Sequence, residues 1–280
     1  MARLGTNRYG KSRVRLSRIT RLGDRHDFTE WTVQVLLEGD FDASFTEADN
    51  SKILPTDTMK NTVYSIARSS KAESMEAFAM ELGDYLLENN PQVTSASIEM
   101  EEKAWQRLTI DSIAEPTTFK LSGPEVETAT ATHIRGGAWQ ISSGIDGLVI
   151  LKTTKSAFTG FIKDKLTTLK PATDRILGTR VTASWDYAIS APDYRNVRTR
   201  IASALLKEFA AHNSMSVQHT LFDMGKAVLD AAPEIARIHL KMPNLHHLLA
   251  DLSPFGQDNP NYIFVPIDEP RGTIEATIER

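Results

Sequence analysis

A few side chains in this sequence are suited to binding a small flat anion. Arg175 carries a fixed planar cation with forked donors, which fits an anionic heterocycle. Gln218 offers an amide that both donates and accepts along a ring edge. With Val217 it opens a predicted helix, where the first backbone N–H groups have no intrahelical partner and suit an anion. Phe158 presents an aromatic face on which a planar π-system can stack. Each residue also has an ordinary alternative. Arg175 can pair with Asp174, Gln218 can face solvent or cap the helix, and Phe158 can pack on Phe161.

Proton transfer has its own candidates. Lys11 can act as a base only where burial or nearby positive charge lowers its pKa, and its position in a basic strand equally allows full solvation. Thr56 has a hydroxyl able to pass a proton, but it follows Pro55 and also suits a turn or the N-cap of the helix near Met59. His246 changes charge near neutral pH. It precedes His247 in a strand, so one of the pair must face inward and the other outward. Asn244 after Pro243 reads by itself as a turn asparagine. A metal centre is not expected at His239, His246 and His247. On a strand the first and last share a face, His246 points away, and no acidic residue follows until Asp251.

Composition narrows the classes. The 280 residues suffice for one large domain or two ordinary ones, and 41% are apolar with 24% charged. The formal charge of −4 argues against nucleic acid as a partner. No apolar run approaches the ~18 residues of a membrane span. Without cysteine there are no disulfides, thiolate nucleophiles, Cys-ligated zinc or iron–sulfur clusters. The first 25 residues are basic, with no acidic residue before Asp24, a composition like that of a transit peptide. The alternation of Val14 and Leu16 with Arg13, Arg15 and Ser17 favours a mature strand instead.

The elements that must position these side chains follow from periodicity. Trp31, Val33, Val35 and Leu37 alternate as in a half-buried strand, as do Val181, Ala183, Trp185 and Tyr187. Met59, Val63, Ile66 and Ala67 have helical spacing, and so do Met75, Phe78, Ala79, Leu82, Tyr85 and Leu86. Ser70 with Glu73 has capping-box spacing before the latter helix. Thr94, Ala96, Ile98 and Met100 mark the next strand. In the second half, Val197, Ile201, Leu205 and Phe209 mark one helix and Val217, Leu221, Met224 and Val228 another. Ala236, Ile238, Leu240 and Met242 mark the strand after it. The halves align without gaps at an offset of 142 residues, bringing Met75 onto Val217, Pro91 onto Pro233 and Met100 onto Met242. Such self-similarity points to duplication. Each half reads strand, strand, helix, helix, strand, strand. That order implies the α+β class, with antiparallel sheets and helices on one face. Open sheet edges invite pairing with another subunit.

Six motifs carry a resemblance to the uricase (urate oxidase) family, in family order and over nearly the whole chain. They are Tyr9-Gly10-Lys11-Ser12-Arg13-Val14-Arg15, Pro55-Thr56-Asp57-Thr58-Met59-Lys60-Asn61-Thr62, Phe158-Thr159-Gly160-Phe161 with Thr167-Thr168-Leu169 and Asp174-Arg175-Ile176, Ser216-Val217-Gln218, Pro243-Asn244-Leu245-His246, and Asp251-Leu252-Ser253. The resemblance implies tandem tunnelling-fold (T-fold) units, expected at 1–135 and 136–280. Paired subunits would close a β-barrel, and two barrels would stack into a homotetramer with active sites at subunit interfaces. It implies oxidation of uric acid by O2 and water to 5-hydroxyisourate and hydrogen peroxide, with no cofactor and no metal. Lys11, Thr56 and His246 resemble the catalytic relay. Thr56, Asp57 (through its backbone N–H), Phe158, Arg175, Val217, Gln218 and Asn244 resemble the substrate-binding set, and Asn244 with Thr56 the oxygen or peroxide site. In the family a bulky aromatic usually follows the stacking phenylalanine, and here Thr159 stands there.

Two rival readings stand beside this one. Pterin-acting enzymes of the same fold anchor the base with glutamate and often bind zinc through histidines, whereas this chain has Gln218 at that place. A silent purine-binding homologue would be signalled by loss of Lys11, Thr56 or His246, and all three are present. With no signal peptide recognised, and Ile278-Glu279-Arg280 in place of the peroxisomal Ser-Lys-Leu, the expected location is cytoplasmic.

Overall fold

Alternation is realised first in the strands. A computed structural model of the chain describes residues 2–267 and 269–280. Strand β1 (Tyr9–Leu22) turns through Gly23-Asp24 into β2 (Arg25–Gly39), and the two pair antiparallel. Trp31, Val33, Val35 and Leu37 of β2 are fully buried, a contribution of roughly 1.5–3 kcal/mol for each aliphatic side chain. Helices α1 (Asp42–Thr46), α2 (Thr56–Ser69) and α3 (Met75–Asn89) follow. Then come β3 (Val93–Ile110) and β4 (Ile113–Ile134), giving the antiparallel order β1-β2-β3-β4. Met59 and Val63 of α2, and Phe78, Leu82 and Leu86 of α3, join Trp31, Val35 and Ile98 in one core.

Strand β5 (Trp139–Lys152) leads to β6 (Leu177–Tyr187), α4 (Tyr194–Ala211), α5 (Val217–Ala231), β7 (Ile235–Lys241), β8 (Asn244–Leu249), β9 (Phe264–Ile267) and β10 (Glu275–Glu279). β7 lies between β6 and β10, while β8 pairs with β6 and β9, all antiparallel. A second core gathers Val181, Trp185, Ile201, Leu221, Met224 and Leu240. Contacts divide the chain into two compact units, Met1–Gly144 and Ile145–Arg280. The expected boundary at 135/136 lies in the turn between β4 and β5. No helix among the described residues is long and apolar enough to cross a membrane.

The repeat at offset 142 extends into the caps. α3 and α5 have the same length, with Ser74 and Ser216 as N-caps whose hydroxyls accept the N–H of Ala77 and His219 at 3.2 and 3.1 Å. At the other end, Arg135 donates to the carbonyls of Leu87, Asn90 and Val93. Arg280 donates to those of Leu229, Ala232 and Ile235, the same three positions of the second repeat. Each guanidinium thus gathers carbonyls of the helix end, the turn after it and the start of the next strand.

Some local expectations shift. Ser70 follows the last residue of α2 and does not cap α3; its hydroxyl takes the Ala72 N–H, and Ser74 is the cap because it directly precedes the helix. Tyr85 lies off the buried stripe of α3 and is exposed. Thr94 faces solvent, with its hydroxyl on the Glu38 carbonyl at 3.3 Å.

Candidate active site

Lys11 owes its direction to a β-bulge. On β1, Lys11 is paired with Val35 and Val14 with Val33, so one extra residue enters between them. Arg13 in the bulge has φ +55°. The bulge reverses the inside–outside phase, so Lys11 falls on the face of buried Val35, not with Arg13 and Arg15 on the exposed face. Gly10 is needed for this approach, because a Cβ there would stand 1.8 Å from the Val35 carbonyl oxygen.

Tyr9, on the same face, pins the loop before α2. Its hydroxyl accepts the Leu54 N–H at 2.8 Å and donates to the Leu54 carbonyl at 3.2 Å, while its ring packs edge-on against Phe41. Pro55 caps α2 without any side-chain bond, so Thr56 is the first helical residue and not the cap. The first-turn N–H groups are left to the surroundings. The Asp57 carboxylate is occupied by Lys60 and Asn61. Its pKa is held below the usual range by the Lys60 hydrogen bond first, with the Lys11 charge contributing. A backbone role for Asp57 is consistent with that engagement. Lys11, Thr56 and Asp57 therefore gather at one end of the first unit, held by Tyr9, a residue the sequence singled out only as part of a motif.

The other candidates converge in the second unit. Phe158, Arg175, Val217, Gln218, Asn244 and His246 line a single cavity of about 790 Å³. Their segments are fixed from several sides. Phe158 and Ala172 exchange backbone hydrogen bonds of 2.8 and 3.0 Å, and the Ala157 N–H bonds to the Ser214 carbonyl at 2.7 Å. Asp174 accepts from the Thr154 hydroxyl at 2.7 Å and the Ser156 N–H at 3.3 Å. These contacts put its pKa below the usual range, the Thr154 hydroxyl most of all.

Asp174 is thus engaged elsewhere, and Arg175 forms no ion pair among the described residues. Its Nε is buried without a hydrogen-bond partner, and burial pushes its pKa down. The guanidinium carbon lies 5.2 Å from the centroid of the Phe158 ring, which is also stacked with Phe161 at 5.0 Å and 10°. Phe161 supplies an aromatic neighbour to Phe158, while Thr159 is exposed.

Val217 buries its side chain in the core, leaving its backbone N–H and that of Gln218 at the start of α5. Asn244 and His246 sit on β8, which continues the line of β7 along β6 in unchanged register: Lys241 faces Thr182 and Asn244 faces Thr179. Asn244 and His246 therefore share the parity of buried Leu240 and Met242. His239 and His247 fall on the other parity, about 26 Å apart along the strand. His239 bonds the Thr277 hydroxyl and His247 the Leu245 carbonyl, so these three histidines do not converge on one point. A different set, His212, His219 and Asp223, does converge. Sequence spacing did not reveal it, because His212 lies beyond the helix that carries the other two.

Fold and cavity together define an α+β protein whose second unit gathers a half-buried guanidinium, a helix N-terminus, an amide and an aromatic ring around one cavity. The uricase family model matches residues 7–132 and 141–275. The chain is 43% identical over 277 residues to a uricase of Arthrobacter globiformis, covering 99% of this chain and 90% of that one. It is 38% identical over 282 residues to a uricase of Dictyostelium discoideum, covering 100% and 98%. The crystal structure of the Arthrobacter globiformis uricase superposes with a TM-score of 0.94 at 42% identity, over 100% of this chain and 96% of that one. A mutant urate oxidase from Bacillus sp. TB-90 shares the fold, with a TM-score of 0.88 at 22% identity over 99% and 100%. This chain belongs to the uricase family.

Proposed function

We propose that the chain is a urate oxidase, converting urate, O2 and water to 5-hydroxyisourate and hydrogen peroxide without a cofactor. The observation that carries this is the unpaired Arg175 guanidinium in a cavity shared with Phe158, Gln218 and the start of α5. A half-buried cation without a protein partner is a costly element unless an anion completes it. Urate is such an anion, flat enough to lie along the Phe158 ring and edged with the donors and acceptors that Gln218 and the Val217–Gln218 N–H groups can meet.

Chemistry then requires a further proton to leave the bound anion. The dianion is electron-rich enough to pass one electron to O2, which avoids the spin barrier to direct reaction. Recombination forms a carbon–oxygen bond, and the resulting peroxide eliminates hydrogen peroxide. Addition of water completes the product. We assign the proton path to Lys11 and Thr56 with His246, and the place of O2 and peroxide to Asn244 with Thr56. The protein contributes orientation, proton removal and exclusion of bulk water.

Lys11, Thr56 and Asp57 belong to the first unit and the cavity residues to the second. We propose that each active site takes the first unit of one subunit and the second of another, within a homotetramer of tandem T-fold units whose barrels close by subunit pairing. Support comes from exposed apolar side chains at a hairpin tip, Ile110 and Ile113, which a partner chain would cover. Incubation of chelator-treated protein with urate in air, following urate absorbance and peroxide together, tests the activity. One peroxide per urate consumed is expected. Urate binding without oxygen uptake would favour a silent binding protein.

A further inference from the structure

A second cluster of titratable side chains lies where α4 ends and α5 begins. His212 is the C-cap of α4, and its side chain is 7% exposed. His219 and Asp223 are four residues apart on α5, so they share a helix face. His212 Nδ1 is 3.2 Å and His219 Nε2 is 3.3 Å from the same oxygen, Asp223 Oδ2. The three ligand atoms lie within 4.8 Å of one another. Glu208, on the last turns of α4, places a carboxylate oxygen 3.6 Å from His212 Nδ1.

The lengths and the charge balance both bear on what this cluster holds. A tetrahedral ion with bonds of 2.0–2.1 Å to nitrogen and oxygen has ligand–ligand edges of about 3.3 Å. The two contacts to Asp223 have that length. Lys152, the nearby cation, is held by the carbonyls of Phe209 and His212. Asp223 and Glu208 have only imidazoles as ion-pair partners among the described residues. With neutral imidazoles, Asp223 and Glu208 outweigh the single charge of Lys152 and leave the cluster net negative, which favours a cation.

We propose that His212, His219 and Asp223 form a binding site for a divalent transition metal of the zinc class, with Glu208 as the nearest further carboxylate. Two imidazoles and a carboxylate select zinc, copper or nickel over magnesium or calcium, which prefer all-oxygen shells. The site is separate from the proposed reaction. Its consequence is mechanical: the ion ties the end of α4 to the first turns of α5 across residues 213–216. That loop leads directly into Val217 and Gln218 of the cavity.

Zinc chloride titrated into the chelator-treated full chain tests the site, by calorimetry and by competition with a chromophoric chelator. Thermal unfolding with and without zinc is read alongside. The parent is expected to bind one zinc per chain and to melt at a higher temperature when loaded. His219 is 49% exposed, so His219→Ala leaves the core intact, and Asp223→Asn is nearly isosteric. Each is expected to weaken zinc at least tenfold and to abolish the melting shift, whereas His239→Ala changes neither. Absence of saturable 1:1 binding by the parent overturns the proposal. So does zinc affinity in both His219→Ala and Asp223→Asn equal to that of the parent.

Discussion

Arg175 gives the sharpest single perturbation, because binding and stability are expected to respond in opposite senses. Its guanidinium is partly buried, its Nε has no hydrogen-bond partner, and no carboxylate of the described residues neutralises it. In the ligand-free protein that charge stabilises little and carries a desolvation cost. In the complex it makes a charge-assisted contact to an anion, an interaction in the range of about 1.5–3 kcal/mol. Arg175→Met keeps most of the side-chain volume and removes the charge. Urate affinity, measured by anaerobic calorimetric titration, should fall roughly 10- to 150-fold, since about 1.4 kcal/mol is a factor of ten. Thermal unfolding of the ligand-free variant should match the parent or lie slightly higher. The protection that urate gives the parent against unfolding should largely disappear. A variant that melts well below the parent and still binds urate normally would show that Arg175 is a structural cation, and the anion-site reasoning would fail.

Three further outcomes follow from other parts of the chain. Lys11→Met should lower kcat on the order of 100- to 10,000-fold with little change in urate affinity; parent-level turnover across pH would remove Lys11 from the proton path. Tyr9→Phe deletes the hydroxyl that holds both backbone groups of Leu54. It should reduce kcat more than it raises KM, and an equal effect on stability alone with unchanged kcat would limit Tyr9 to packing. Glu30 accepts hydrogen bonds from Lys103, Arg15 and Trp105, the Lys103 contact contributing most, and its pKa is lowered to about 2 from 4.5. Because the folded-state value is depressed, its contribution is fully present above about pH 4.5 and is lost as pH falls toward 2. Acid unfolding of Glu30→Gln, followed by circular dichroism, should therefore be less steep in that window, and an unchanged profile would contradict the assignment.

Sequence periodicity anticipated much of the scaffold, because the strands and helices that build the two cores bury regular faces. The stripe from Trp31 to Leu37 and the helical stripes of α3 and α5 needed only local spacing. What escaped was set by single-residue events and by distant partners. The bulge at Ser12-Arg13 turns Lys11 onto the core face, and nothing in a basic alternating segment signals one inserted residue. Ser74 displaced Ser70 as cap, since both precede an apolar stripe and only the helix start decides. β9 and β10 are short and mostly exposed, so they lack a buried period. Among the site residues, local chemistry left Arg175, Gln218 and Phe158 ambiguous, and the motifs singled them out. Their common cavity depends on the Phe158–Ala172 bridge and on the register of β6 with β8, neither of which is written in local spacing. The His212 cluster escaped for the same reason.

Mixing two inactive variants tests most directly the division of the site between subunits. Thr56→Ala removes a hydroxyl of the first unit, and Arg175→Ala removes the cation of the second. If one subunit's Thr56 serves its partner's cavity, a mixed pair has one site with both lesions and one with neither. Random pairing then restores up to about one quarter of parental activity, which neither variant has alone. Urate consumption by co-refolded mixtures, with subunit exchange confirmed by mass-tagged chains, is expected to reach that level. Confirmed exchange with no recovered activity would mean that Thr56 and Arg175 act in one site from one chain, contradicting the shared active site.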